Sequence, residues 1–144
     1  MTANKFFDIY FDSINKAIQS LDYSLLDKIS ILIKSCKDRG RKLIIVGNGG
    51  SAAISSHVAV DFTKAAKIRA INFNEADLIT CFANDFGHDY WMQEALNMYS
   101  DNNDIVVLIS SSGKSKNVIN AAKWCVKFNL KLNIFDLEPV RPTL

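Results

Sequence analysis

The sequence predicts an α/β fold, in which a parallel sheet carries helices on both faces in a Rossmann-like three-layer arrangement. Three observations lead to this prediction. Short apolar runs rich in β-branched residues recur along the chain, segments with helical periodicity separate them, and glycine- or serine-rich loops follow two of the runs. Strands that alternate with helices in this way form βαβ units, whose strands are parallel and buried on both faces.

Length and composition predict a single domain over residues 1–144. The chain is 49% hydrophobic, with 17 Lys and Arg against 15 Asp and Glu, and no basic stripe interleaved with aromatics suggests direct nucleic-acid binding. The three cysteines are far apart and form no CxxC pair, which argues against disulfides or a structural zinc site. Because no apolar segment resembles a membrane span or a signal peptide, we expect a cytoplasmic protein without membrane contact.

Two amphipathic helices are predicted ahead of the first strand. The apolar residues of the first recur at three- and four-residue steps, the period of a helix. They are Phe7, Tyr10, Phe11, Ile14, Ala17, Ile18 and Leu21. A second helical pattern runs from Leu25 to Arg39, where Gly40 supplies the left-handed conformation that ends a helix. We expect the two helices, within residues 1–40, to pair and to serve in oligomerisation, ahead of an α/β core over residues 41–144.

The strands and helices of the core follow from the apolar runs and the segments between them. Strands are predicted at residues 42–47, 67–73, 104–110 and 131–137. Helices are predicted at residues 51–65, 75–84, 89–99 and 115–128. The first run, KLIIVG, shows no polar alternation, as expected of a strand covered on both faces. Asn84, Asp85 and Gly87 predict a turn between the second and third of these helices.

Two loops occupy the position at which open α/β sheets bind ligands, beyond the carboxyl ends of the strands. In GNGGS, residues 47–51, Gly49 and Gly50 can adopt positive φ, while Asn48 and Ser51 add polar side chains. In SSSGKS, residues 110–115, four hydroxyls can surround one anion. Either loop alone is equally consistent with an ordinary turn. Together they suggest two walls of one pocket for a phosphate monoester, and because neither matches a Walker A loop or GxGxxG, no nucleotide cofactor is expected.

His57 and Asp61 lie four residues apart on the helix predicted to begin at Ser51, so they share one face of it. The pair could bind a divalent metal, transfer a proton, or form only a hydrogen-bonded surface contact. At 1.5 Å per residue, Asp61 lies roughly 15 Å along the helix from Ser51. It would therefore reach a ligand held by Ser51 more readily from a neighbouring subunit.

The stretch CFANDFGHDYW, residues 81–91, holds a further candidate. Asp85 lies beside an aromatic residue and could bind sugar hydroxyls. His88 has no partner nearby in sequence, which favours helix capping or exposure over a catalytic role. Trp91 and Trp124 are predicted to be core or interface anchors.

Four motifs in this order resemble the sugar isomerase (SIS) domain family and, within it, the phosphoheptose isomerases: VGNGGSAA, His57-x-x-x-Asp61, ANDFG and ISSSGKSKNV. The resemblance covers nearly the whole chain. It implies a SIS-type fold, a homotetramer with active sites between subunits, and interconversion of sedoheptulose 7-phosphate and D-glycero-D-manno-heptose 7-phosphate for bacterial lipopolysaccharide or capsule. The alternative is a non-catalytic SIS module that binds a sugar phosphate or a protein partner.

The resemblance also implies roles for individual residues. Asn48 and Asp85 contact the sugar, and Asp61 moves a proton between adjacent carbons through an enediol. The sugar phosphate is held by Gly49, Ser51, Ser110, Ser111, Ser112 and Ser115. In some family members zinc lies between the positions of His57 and Asp61 and two C-terminal residues, so zinc is a candidate cofactor.

The sequence departs from the family pattern in two respects. The family has glutamate at position 61, and the shorter Asp61 withdraws the carboxylate by roughly 1 Å, a shift that can cost about a hundredfold in rate. Family members also continue into a helix with a glutamine and a second catalytic histidine, for which the residues up to Leu144 offer no counterpart. We therefore expect that catalysis is lost, that the missing groups come from elsewhere, or that the sequence is a truncated product.

Overall fold

Six helices and four strands make up residues 2–136, the part of the chain that this computed structural model describes, with side chains through residue 130. In chain order they are α1 (Ala3–Gln19), α2 (Tyr23–Asp38), β1 (Leu43–Gly47), α3 (Gly50–Lys64), β2 (Ala70–Ile71), α4 (Ala76–Phe86), α5 (Trp91–Tyr99), β3 (Ile105–Ser110), α6 (Lys116–Lys127) and β4 (Lys131–Asp136).

The four strands form one parallel sheet in the order β2-β1-β3-β4. The two central strands pair from Leu43 with Ile105 to Gly47 with Ile109, and every residue of both strands is buried. This burial explains why their sequences are continuous apolar runs rather than alternating patterns. The predicted parallel sheet is confirmed.

Helices cover both faces of the sheet, which confirms the three layers. Because successive side chains of a strand point to opposite faces, Ile44 and Val46 pack with residues of α5 and α6, whereas Leu43 and Ile45 pack with residues of α2 and α3. Trp91 is buried in the first of these clusters and Trp124 packs against it, so both tryptophans are core anchors as predicted.

Two predicted boundaries need correction, and a third is not tested. The strand predicted at 67–73 pairs only over Ala70–Ile71, because β2 is an edge strand with one neighbour and Lys67 takes a positive φ of 57°. Asn84 and Asp85 lie in the last turn of α4 and not in a turn between helices; the helix ends at Phe86 and is followed by Gly87, whose φ is 84°. Leu137, the predicted end of the last strand, lies outside the described residues.

The single chain shows no close packing of α1 on α2, and their predicted pairing in oligomerisation stays a prediction. Within residues 2–136, α1 buries none of its side chains and makes no extensive contact with another element. Only the second half of α2 packs on the sheet, through Cys36 with Leu32 and Ile33 beside it. The apolar residues that these helices leave about half exposed or more include Phe7, Phe11, Ile18, Tyr23, Leu25 and Ile31. No described helix is both long and apolar enough to serve as a membrane span.

A network of ion pairs and hydrogen bonds lies at the edge of the sheet where β1 and β3 begin. Lys42 donates from Nζ to carboxylate oxygens of Asp101 at 2.7 Å and Asp104 at 2.6 Å. Asp104 has no exposed surface and also accepts backbone N–H bonds from Lys42 at 3.0 Å and Asp101 at 2.8 Å. We call Lys42, Asp101 and Asp104 the amino-edge network; it ties the start of β1 to the turn that precedes β3.

Candidate functional site

A polar cavity of about 490 Å³ lies at the opposite edge of the sheet, where β1 and β3 end. We call it the carboxyl-edge cavity. Three segments line it, namely the loop after β1, the turn between α4 and α5, and the start of α6. The lining residues are Asn48, Gly49, His88, Asp89, Ser115, Lys116 and Asn117. The parallel pairing of β1 with β3 brings the first and third segments together, although 69 residues separate Asn48 from Asn117.

A reciprocal pair of amide hydrogen bonds joins two walls of the cavity. Asn48 donates from Nδ2 to Oδ1 of Asn117 at 2.9 Å, and Asn117 donates from Nδ2 to Oδ1 of Asn48 at 3.0 Å. Asn117 is 2% exposed, and its Oδ1 also accepts the backbone N–H of Val118 at 2.9 Å. The loop after β1 is therefore held to the first turn of α6 by two direct bonds.

Two helix N-termini belong to the cavity, and at neither of them does the N-cap residue form a side-chain capping bond. Gly49 is the N-cap of α3 and Ser115 that of α6, and both residues line the cavity without forming a side-chain capping bond. A helix N-terminus offers unpaired N–H groups and the positive end of the helix dipole. Two such ends at one cavity favour an anion such as a phosphate group.

Glycines allow the loop after β1 to take this shape. Gly49 has φ 54° and ψ −121°, a backbone conformation that other residues rarely adopt. A Cβ on Gly47 would lie 2.7 Å from Cβ of Ser51 and 2.9 Å from the carbonyl oxygen of Ile109, so only glycine lets α3 begin this close to the two central strands. The expectation that Gly50 also takes positive φ is wrong, because Gly50 is the first residue of α3.

The turn between α4 and α5 forms a wall that the sequence did not predict. Asn120 of α6 donates from Nδ2 to the carbonyl oxygen of Asp89 at 2.9 Å, and the carboxylate of Asp89 lies 3.3 Å from Nζ of Lys116. These contacts bring His88 into the cavity lining. The only sequence signal was the polar stretch GHDY ahead of α5, because the partners in α6 are about thirty residues away.

The predicted serines of the two loops have different surroundings. Ser115 lines the cavity, whereas Ser51, Ser110, Ser111 and Ser112 lie on the same loops outside its lining. Ser110 is buried and accepts the N–H of Gly113 at 3.1 Å, and Ser112 accepts the N–H of Lys114 at 3.3 Å. These two hydroxyls shape the turn after β3, while Ser111 is exposed and Ser51 is half-buried.

Asp61 and His57 are neighbours, as predicted, but lie away from the cavity. His57 Nε2 is 3.4 Å from Oδ2 of Asp61, and the two side chains are 80% and 61% exposed. Asp85 is also exposed and outside the cavity lining; its carboxylate accepts from Nδ2 of Asn84 at 2.9 Å. The carboxyl-edge cavity of one chain therefore contains neither of these predicted carboxylates.

The His57 and Asp61 pair alone does not fit a zinc site. Zinc in proteins takes four ligands in structural sites and three protein ligands in catalytic ones. Within the described residues no group of three or more His, Cys, Asp or Glu side chains is placed to hold a metal ion. A zinc ion at this pair would need further ligands from beyond these residues or from another chain.

A larger groove of about 710 Å³ lies between α2 and the end of α3. Its floor is apolar, with Ile29, Ile33, Phe62 and Ile68, and lysines stand at its rim. No helix N-terminus or loop of the predicted site reaches it, so the smaller carboxyl-edge cavity is the candidate site.

Comparison with known proteins places the chain in a defined family. The model of the SIS domain matches residues 9–132. The phosphoheptose isomerase of Helicobacter pylori (strain ATCC 700392 / 26695) is 32% identical over 126 residues, and a probable phosphoheptose isomerase of Thermoplasma volcanium is 36% identical over 129 residues. These alignments cover 83% and 85% of this chain, and in both cases the chain spans 65% of the relative's length.

Solved structures show the same fold. The phosphoheptose isomerase of Neisseria gonorrhoeae superposes with a TM-score of 0.82 at 26% identity, over 94% of this chain and 76% of that one. A phosphoheptose isomerase from Francisella tularensis gives 0.83 at 23% identity, over 99% and 82%. The three-layer parallel architecture is therefore shared with proteins whose names refer to a phosphorylated heptose.

Proposed function

Because the chain belongs to the SIS domain family, we propose that it binds a phosphorylated sugar in the carboxyl-edge cavity and isomerises it. The proposed reaction interconverts sedoheptulose 7-phosphate and D-glycero-D-manno-heptose 7-phosphate, in the cytoplasm, for heptose of bacterial surface polysaccharide. The observation that carries the binding step is the presence, at one polar cavity, of two helix N-termini whose N-cap residues form no side-chain capping bond. The similarity to phosphoheptose isomerases supports the choice of reaction.

The phosphate group is proposed to lie against the starts of α3 and α6. Ser115 has no capping bond, so its hydroxyl is available to donate to a phosphate oxygen. Ser51 and the hydroxyls of Ser110, Ser111 and Ser112 lie on the same loops and are proposed to complete the phosphate site. Asn48 lines the cavity beside them and is proposed to contact the sugar.

Isomerisation needs a base that moves a proton between adjacent carbons, and we assign this role to Asp61 with Asp85 as a sugar contact. Removal of a proton next to the carbonyl gives an enediol, and its return to the neighbouring carbon completes the exchange of aldose and ketose. Asp61 is exposed and outside the cavity of its own chain. Its role therefore requires that a second copy place Asp61 at the cavity of the first.

A homotetramer would supply that second copy. The apolar residues of α1 are about half exposed in the single chain, Phe7 at 51% and Phe11 at 57% among them, and an apolar face of this extent favours contact with another chain. Sedimentation velocity measures the assembly directly. A chain that stays monomeric at high concentration would contradict both the tetramer and the assigned role of Asp61.

A coupled assay with sedoheptulose 7-phosphate, run with and without added zinc, tests the reaction. Asp61→Asn should abolish turnover while calorimetric binding of the phosphosugar and the unfolding midpoint stay unchanged, because the side chain is exposed and outside the cavity. Asp77→Asn, which changes an exposed carboxylate of α4 in the same way, is the matched control and should keep wild-type turnover.

Mixing two variants tests whether the site is shared. If Asp61 acts in a neighbour's cavity, about a quarter of the sites in tetramers assembled from equal amounts of Asp61→Asn and Ser115→Ala chains should have both groups intact and turn over the phosphosugar with wild-type affinity. If Asp61 acts in the cavity of its own chain, no site has both groups intact, and all turnover should show the weakened affinity of Ser115→Ala. Binding by the folded wild type without any turnover would overturn the isomerase and favour the non-catalytic SIS module. Absence of binding would favour a protein-interaction role.

A further inference from the structure

We propose that Asn117 is a positioning residue that orients the amide of Asn48 for the ligand, a role that rests on the proposed function. Asn117 is 2% exposed and is therefore nearly closed to direct contact with a ligand, whereas Asn48 is partly exposed at the cavity. Two bonds of 2.9 and 3.0 Å connect their side chains. A buried residue that binds both ends of an exposed amide controls where that amide points.

The hydrogen-bonding capacity of Asn48 shows what the pair leaves free. An asparagine amide has two N–H donors and an oxygen with two lone pairs. Asn117 takes one donor and one lone pair, so one N–H and one lone pair of Asn48 remain for a ligand. Since both atoms of the amide are held, the amide plane cannot rotate without breaking two bonds. The remaining N–H is thus fixed before a ligand arrives.

Asn117 is itself held by the helix to which it belongs. Its Oδ1 accepts the N–H of Val118 at 2.9 Å, one of the N–H groups that lack a partner in the first turn of an α-helix. The same face of α6 also fixes the third wall of the cavity through Asn120 and the carbonyl oxygen of Asp89. The first turns of α6 therefore set the relative position of all three walls, with Asn117 acting on Asn48.

A double-mutant cycle on ligand affinity separates positioning from a general structural role. Calorimetry measures the affinity for sedoheptulose 7-phosphate in Asn48→Ala, Asn117→Leu and the double variant. Each single change should weaken binding about tenfold, the loss expected when one hydrogen bond to a charged or polar ligand is misplaced. The double variant should bind as weakly as Asn48→Ala alone, because Asn117 acts only through Asn48.

Independent losses would overturn the proposal, since a residue that merely stabilises the fold should multiply its effect with that of Asn48→Ala. Asn97→Leu is the matched control, because it makes the same change at an exposed position of α5 and should leave the affinity unchanged. Asn117→Ala, which needs no extra space, provides the same comparison if Asn117→Leu does not fold.

Measuring ligand affinity also distinguishes a failure of this proposal from a failure of the proposed function. Binding requires no turnover, so a wild type that binds but does not isomerise overturns the reaction and leaves the cycle measurable. A wild type that does not bind the phosphosugar overturns both proposals.

Discussion

The polar groups at the two edges of the central sheet differ in burial and in hydrogen-bond partners. At the amino edge, Asp104 is fully buried and its carboxylate binds Nζ of Lys42 and two backbone N–H groups. At the carboxyl edge, the N-cap residues Gly49 and Ser115 make no side-chain capping bonds, and they line an open cavity. The strands that run between these edges are the same, so the difference lies in the loops.

The difference shows what each edge is suited to do. A buried polar group that has all of its partners within the chain contributes to holding the fold, because removing one partner leaves the others unsatisfied in a medium of low dielectric. A polar group without an internal partner at an open cavity remains available to a ligand. Substitutions at the amino edge should therefore change stability, and substitutions at the carboxyl edge should change binding.

The largest expected effect is at the amino edge. Asp104→Ala should lower the free energy of unfolding by about 3–5 kcal/mol, because it leaves the buried Lys42 without its closest partner and two backbone N–H groups without an acceptor. Urea denaturation measures this change. Asp101→Ala is the control, since Asp101 binds the same Nζ from an exposed position, and it should lower stability far less. Equal losses would show that the burial of Asp104 is unimportant.

Gly47 offers the next test, because it lies where β1 meets the start of α3. Gly47→Ala should destabilise the fold by about 1–3 kcal/mol, since its new Cβ would lie within 3 Å of Ser51 and of the Ile109 backbone. It should also weaken phosphosugar binding by moving the N-terminus of α3. Gly50→Ala adds the same methyl group in open space on a helical residue and should stabilise by about 0.4–1 kcal/mol. Thermal unfolding of both variants decides this comparison.

Ser115→Ala tests the carboxyl edge with little expected effect on the fold. Its hydroxyl makes no capping bond, so the unfolding midpoint should stay within error of the wild type. Affinity for the phosphosugar should fall about tenfold, the loss of one hydrogen bond to a charged group. Ser35→Ala, a hydroxyl in α2 that bonds only the carbonyl oxygen of Leu32, is the matched control for binding. Unchanged affinity in Ser115→Ala would remove this helix N-terminus from the site.

The sequence predicted the sheet and its two faces well, because the signal is local. The apolar composition of β1 and β3 by itself predicts that these strands are buried, and each strand lies at its predicted position. The edge strand β2 was predicted too long, since the extent of pairing depends on a neighbour that is absent on one side. The orientation of α1 was also beyond prediction, because its periodicity shows an apolar face and not what covers that face.

The candidate site was predicted in part for the same reason. Glycines and serines after strands are visible in the sequence, and Asn48, Gly49 and Ser115 do lie together. The roles of Asn117 and Asp89 depend on contacts with segments 69 and 31 residues away, which no local pattern encodes. The place of Asp61 depends on a second chain and stays a prediction.

The smallest expected effect is the pH dependence of the amino-edge network. Burial alone would lower the pKa of Lys42, but hydrogen bonds and charges from Asp101 and Asp104 outweigh it and raise this pKa above its ordinary 10.5. The hydrogen bond and charge of Lys42 lower the pKa of Asp101 below its ordinary 3.8. A raised lysine pKa contributes stability that is complete below pH 10.5 and is lost as pH rises through the higher value. A lowered aspartate pKa contributes stability that is present above pH 3.8 and is lost as pH falls through the lower value.

The network should therefore contribute a constant stability between about pH 5 and pH 9. Urea denaturation of the wild type and of Lys42→Met across this range measures it, and the difference between the two proteins should change only in strongly alkaline or strongly acidic solution. A difference that already changes between about pH 6 and pH 8 would contradict this assignment, because it would mean that a titrating group outside the amino-edge network is coupled to folding.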